Sequence, residues 1–129
     1  MSELSDLLDA AEALTDRGEE MALATIVATR GSTYRRAGAR LLIPADGEPI
    51  GNISGGCLEG DVARIGREVI ASRVPRLVEF DLTADDDAVL GYGLGCNGAM
   101  ELFIEPTPGV LETVAALRSG SGQCLVLPL

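Results

Sequence analysis

Two cysteines carry the most chemistry-prone surroundings in this chain. Cys57 stands in Ser54-Gly55-Gly56-Cys57-Leu58-Glu59-Gly60, and Cys96 in Gly91-Tyr92-Gly93-Leu94-Gly95-Cys96-Asn97-Gly98. Glycines beside a thiol strip side-chain bulk from one flank, so that backbone N–H groups and sulfur can face one ligand together. A thiol so placed can be a soft metal ligand, a nucleophile or persulfide carrier, or a small apolar filler. Fillers belong in mid-strand, as Cys124 does in its apolar run. The turn-like glycines around Cys57 and Cys96 favour the ligand and sulfur-chemistry readings, with Gly55, Gly56 and Gly95 as close backbone walls.

The rest of the composition narrows that chemistry. The 129 residues contain no histidine, which excludes Ser/His/Asp and Cys/His catalysis and leaves cysteine chemistry or a carboxylate base. With no histidine and no CxxC, a four-ligand zinc site is not expected. The acidic run Asp85-Asp86-Asp87 reads as a solvated cap and not as a cation site, because nothing in its spacing fixes a ligand geometry. Gly91-x-Gly-x-Gly95 lacks the strand, helix and downstream acid of a dinucleotide fingerprint. Arg30, Arg35, Arg36 and Arg40 crowd between two expected strands. They are either solvated loop charge or a site for a phosphate or other anion, to which arginine offers a planar donor fork.

Twenty acidic against ten basic residues give a formal charge of −10. That balance disfavours nucleic acid and anionic membrane surfaces as partners. No apolar run approaches the length of a membrane span, and the acidic Met1-Ser2-Glu3 start is unlike a secretory signal, so a cytoplasmic location is expected. Three cysteines do not describe a disulfide scaffold. Apolar residues make up 47% of the chain and aromatic ones 3%, enough for one aliphatic core but not for two.

The elements that must position the cysteines follow from periodicity. Leu4, Leu7, Leu8, Ala11 and Leu14 predict an amphipathic helix stopped by Arg17-Gly18. The apolar run 22–29 predicts a strand covered on both faces and central in its sheet. Residues 31–38 read as a functional loop, and 40–43 with 50–53 as a hairpin about the Asp46-Gly47 turn. Leu58, Val62, Ile65, Val69 and Ile70 predict a helix to Ser72, which sets Cys57 at its N-terminus, where unpaired N–H groups and the dipole lower a thiol pKa and attract anions. Glu59 and Asp61 in its first turn complement that dipole, with a site role for Glu59 as the alternative. Further strands are expected at 76–82 and 100–105, a break at 106–108, and then a helix through Val110, Leu111, Val114 and Leu117 before a strand at 124–127. The fold class expected is α/β: a single domain, 1–129, with a mixed β-sheet and flanking helices. The helix–strand extension at 108–129 reads as cut short.

Taken together, Ala24-Thr25-Ile26-Val27, Gly31-Ser32, Arg36, Gly38 to Arg40, Asp46-Gly47, Gly51-x-Ile53-Ser54-Gly55-Gly56-Cys57-Leu58-Glu59 and Gly93-Leu94-Gly95-Cys96-x-Gly98 with Glu101 resemble the N-terminal domain of the XdhC/CoxI family. The resemblance covers 22–105. It implies a non-catalytic accessory protein that transiently binds molybdenum cofactor (molybdopterin), supports its sulfuration with a cysteine desulfurase, and delivers it to a molybdenum hydroxylase apoenzyme of the xanthine or carbon monoxide dehydrogenase type. By the same resemblance Cys57 and Cys96 hold the cofactor or its sulfur, and Arg36 and Arg40 meet the pterin phosphate. Longer relatives continue into a Rossmann-like domain, so a homodimer or a separate Rossmann-domain partner is a further expectation. The residues alone leave two other classes open: a cysteine-dependent sulfurtransferase or redox enzyme, and a docking module in which both cysteines only pack.

Overall fold

The computed structural model describes residues 3–32, 37–53, 58–81 and 97–118. In chain order the elements are α1 (Glu3–Asp16), β1 (Met21–Ser32), β2 (Arg40–Pro44), β3 (Ile50–Gly51), α2 (Glu59–Ser72), β4 (Arg76–Asp81), β5 (Asn97–Pro106) and α3 (Thr107–Arg118). The five strands form one sheet in the order β3-β2-β1-β5-β4. The α/β domain with flanking helices is as expected; the sheet, expected to be mixed, is antiparallel in every ladder among the described residues.

β1 is central because nothing in its first half is polar enough to meet water. Its alternate residues feed two cores. Ala22, Ala24 and Ile26 join Leu41, Ile43, Met100, Leu102 and Ile104 beneath Val62, Ile65 and Val69 of α2. Met21 and Leu23 join Leu42 beneath Leu7, Leu8, Ala11 and Leu14 of α1 and Val110 and Val114 of α3. The sheet is thus a middle layer, with α2 on one face and α1 with α3 on the other.

The helix ends obey local chemistry. α1 stops where Gly18 takes φ +69°; the Glu19 N–H then donates to the Leu14 carbonyl at 3.0 Å and the Gly18 N–H to that of Thr15 at 2.9 Å, a Schellman ending. α2 closes through Arg73 at φ 62°, whose N–H donates to Val69, and Pro75 follows where no helix can continue. The expected break at 106–108 is absent: β5 runs to Pro106 and α3 starts at Thr107. Pro108 lies in the helix's first turn, where its missing N–H costs nothing. Thr107 ties this corner to β1, accepting from the Met21 N–H at 2.9 Å and donating to the Met21 carbonyl at 3.1 Å.

Three strands differ most in extent from expectation. β3 pairs only through Ile50 and Gly51, because Gly51 takes φ +116° and brings its backbone so near the Arg40 carbonyl that a Cβ would lie 2.5 Å from it. β1 and β5 run longer, pairing Gly31 with Gly98 and Ser32 with Asn97. Between Ile26 and Ala28 the register shifts. Val27 is an extra residue in β1, a bulge that changes which face the later residues occupy.

Candidate functional site

Six of the seven expected site residues, Arg36, Gly55, Gly56, Cys57, Gly95 and Cys96, lie outside the described residues, as does the acidic run 85–87. Arg40 is described. The strands that lead into these segments run toward one end of the sheet. β1 arrives there at Ser32, and β5 departs from Asn97, its ladder partner. β4 arrives with Asp81 opposite Ala99. β3 runs in the same direction as β1, and α2 starts from this end, since only residues 73–75 separate its far terminus from the opposite end of β4. β1, β3 and β4 thus run in one direction into 33–36, 54–57 and 82–96, while the chain returns from 33–36 beside Ile26, whose carbonyl accepts from the Gly38 N–H at 2.7 Å.

At the border of 54–57 the anchoring is tight. Ile53 and Leu58, at 0% exposure, are both buried in the core under α2. Glu59 reaches back across the segment, its Oε2 accepting from the Ile53 N–H at 2.8 Å. A first-turn carboxylate that complements a helix dipole here also closes a six-residue span. Glu59→Ala removes the acceptor of a part-buried N–H, and a loss of about 1–3 kcal/mol in urea unfolding is expected; an unchanged midpoint would show that this bond holds nothing.

Arg40 occupies the face of α1 and α3, beside its ladder partner Thr25. Its Nη1 donates to the Gly38 carbonyl at 2.9 Å, whereas its buried Nε has no hydrogen-bond partner among the described residues. Burial draws the guanidinium below its ordinary pKa, and the charge of Glu105 opposes that shift. Glu105 is itself buried in β5, its Oε2 accepting from the Thr113 hydroxyl of α3 at 3.0 Å. Burial pushes its carboxyl above the usual range, against that hydrogen bond and Arg40, with Glu112 adding to the push.

Sequence reading missed Glu105. The signal was its phase: with Met100, Leu102 and Ile104 pointing to one core, Glu105 had to point to the other. Its linkage to stability has a definite sign. A carboxyl whose folded pKa exceeds its unfolded one binds extra protons in the native state between the two values, so stability falls as pH rises through that window. In Glu105→Gln that part of the slope disappears. Urea unfolding across the window is expected to show the parent losing stability relative to the variant as pH rises, and parallel profiles would refute it.

A second charged group lies near the Ser32/Asn97 end. Glu79 and Glu101 are direct cross-strand partners, a like-charge pairing that disfavours the sheet. Arg30 relieves it, its Nη2 donating to Glu79 Oε2 at 2.8 Å. With Ala28 and Ala99 these residues line a shallow pocket of about 150 Å³. Among the described residues no three histidine, cysteine or carboxylate side chains group as metal ligands do, and no helix is long and apolar enough to cross a membrane.

Among the described residues, a five-stranded antiparallel sheet between one helix and two defines a class of small α/β domain. The chain belongs to the XdhC and CoxI family, whose pattern matches residues 14–81. It is 40% identical over 98 residues to a Bacillus subtilis protein named as a probable xanthine dehydrogenase subunit, covering 73% of this chain and 28% of that one. It is 35% identical over 109 residues to the Escherichia coli "Molybdenum cofactor insertion chaperone PaoD", covering 84% of this chain and 33% of that one. A Bacillus halodurans crystal structure described as a xanthine dehydrogenase superposes with a TM-score of 0.70 at 34% identity, over 93% of this chain and 36% of that one. The chain thus spans about a third or less of the curated relatives it matches.

Proposed function

We propose that this chain is a molybdenum cofactor binding module that serves the maturation of a molybdenum hydroxylase of the xanthine or carbon monoxide dehydrogenase type. The observation that carries the reading is its similarity, across 84% of its length, to a protein named as a molybdenum cofactor insertion chaperone. The topology supports it: the strands that lead into the segments bearing Arg36, Cys57 and Cys96 all run toward one end of the sheet. The donor set also fits the group. Thiolates suit molybdenum and its terminal sulfur, and Arg40 carries a buried N–H donor, unpartnered among the described residues, of the kind a phosphate accepts from.

In this reading Cys57 and Cys96 hold the cofactor, Gly55, Gly56 and Gly95 let the backbone approach it, and Arg36 and Arg40 meet its phosphate. When bound, the cofactor supplies the molybdenum centre whose terminal sulfur the hydroxylase needs. The chain's own work is to hold it, keep it from water and release it. The partners that follow are the hydroxylase apoenzyme, a cysteine desulfurase, and a second copy or a Rossmann-type domain to complete the site; the protein acts in the cytoplasm and has no turnover of its own.

The test is anaerobic titration of the 129-residue chain with molybdenum cofactor, with metal analysis, beside Cys57→Ala and Cys96→Ala. Stoichiometric binding that weakens about tenfold or more in either variant is expected, the equivalent of ~1.4 kcal/mol. Binding unchanged by both substitutions would remove the cysteines from the site. Turnover of a small sulfur donor without cofactor would move the protein to the sulfurtransferase class.

A further inference from the structure

The layer of α1 and α3 lies on the other face of the sheet from α2. The two helices leave between them a groove of about 580 Å³ that is more apolar than polar in its lining. Leu111, 41% exposed, buried Val114 and exposed Ala115 of α3 line it together with Glu12, Thr15 and Asp16 of α1. One end is closed by Arg118, whose guanidinium donates to Asp9 at 2.7 Å and Glu12 at 2.8 Å.

The charge around this groove is mostly negative, with Arg118 as its one basic lining residue among the described residues. α1 carries Asp6, Asp9, Glu12 and Asp16 and no basic residue, and Glu112 stands beside Leu111 on α3. A single Arg118 shared by two carboxylates does not neutralise them. An exposed leucine beside Val114 and Ala115, with Glu12 and Asp16 contributed by the facing helix, selects for an occupant with apolar side chains and basic flanks.

We infer that the α1/α3 groove docks a basic amphipathic helix of a partner protein. The stretch from Leu111 to Arg118 is about 10 Å long at the helical rise, so the groove seats roughly two turns. The occupant places two apolar side chains three or four residues apart on Leu111, Val114 and Ala115, with lysine or arginine on the flanks of that stripe facing Glu12 and Asp16.

The test uses the full chain and a synthetic helical peptide with leucine at every third or fourth position and lysine on both flanks, beside a counterpart with glutamate in place of lysine. Saturable binding of the lysine peptide is expected, with backbone-amide NMR shifts centred on Leu111, Val114 and Ala115 and affinity that falls as salt rises. Leu111→Asp and Asp16→Lys each weaken it about tenfold, or ~1.4 kcal/mol, while thermal melting confirms that both variants fold. Equal binding of the two peptides, shifts elsewhere on the surface, or no binding overturns the proposal. So does self-association in sedimentation that Leu111→Asp abolishes, which would make a second copy the occupant. None of these readouts involves molybdenum cofactor, so failure here leaves the cofactor-binding reading untouched.

Discussion

Ile53→Ala is expected to cost about 3 kcal/mol, in the middle of the range for deleting buried aliphatic branches. Ile53 is fully buried, at 0% exposure, in the cluster beneath α2. Its neighbours there belong to several strands and a helix, so they cannot collapse together into the space it vacates. The effect extends past stability. Ile53 and Leu58 are the two apolar anchors that border residues 54–57, and the Ile53 N–H is the donor that Glu59 receives. Chemical denaturation gives the energetic loss directly. A double-mutant cycle of Ile53→Ala with Glu59→Ala is expected to be non-additive, because the two substitutions loosen one anchor. A cost below about 1 kcal/mol, well under the range for such deletions, or strict additivity, would show that this border is not held as described.

Gly66→Val is expected to destabilise by about 3 kcal/mol, at the upper end of what overpacking a finished interface costs. Gly66 is buried in mid-helix, an unfavourable place for glycine by about 1 kcal/mol relative to alanine. The reason it stands there is contact: a Cβ at position 66 would lie 2.5 Å from Ile43 Cδ1 and 3.1 Å from Cγ2. The missing side chain lets α2 lie close on β2. Shortening Ile43 to alanine in the Gly66→Val background should recover part of the loss, and thermal melting of the four proteins in the cycle measures it. If Gly66→Val melted like the parent, α2 and β2 would not be in the contact described.

Most of the fold could be read from the chain because its elements carry their own punctuation. α1 has both its apolar stripe and the Gly18 stop, the hairpin has Asp46-Gly47, and α2 has Val62, Ile65 and Val69 in phase. The start of β5 was not legible. Asn97-Gly98-Ala99 has no strand signal of its own, and becomes strand only because Ser32, Gly31 and Arg30 offer it a ladder. Strand order is hidden for the same reason, since pairing partners 65 to 84 positions apart leave no local trace. Of the candidate site, the thiols and glycines stand out in the sequence because they are defined by residue type. Arg40 could not be assigned to its place beside Thr25 and Glu105, because a guanidinium's surroundings depend on which face its strand turns to the helices. Nor could Glu59 be given its second partner: dipole complementarity is a local property, and reaching back to Ile53 is not.

The pairing of β1 with β5 also bears on how the chain is made. β1 leaves the ribosome well before β5, so one of its edges has to wait until residues 97–106 emerge, roughly 4 to 15 s later at ordinary rates of synthesis. Throughout that interval the most apolar strand of the protein can acquire only its hairpin-side neighbour β2. Closing the sheet is therefore a late event in which β5 slots between β1 and β4, and a nascent chain halted before Asn97 would expose a sticky inner edge ready to recruit other chains.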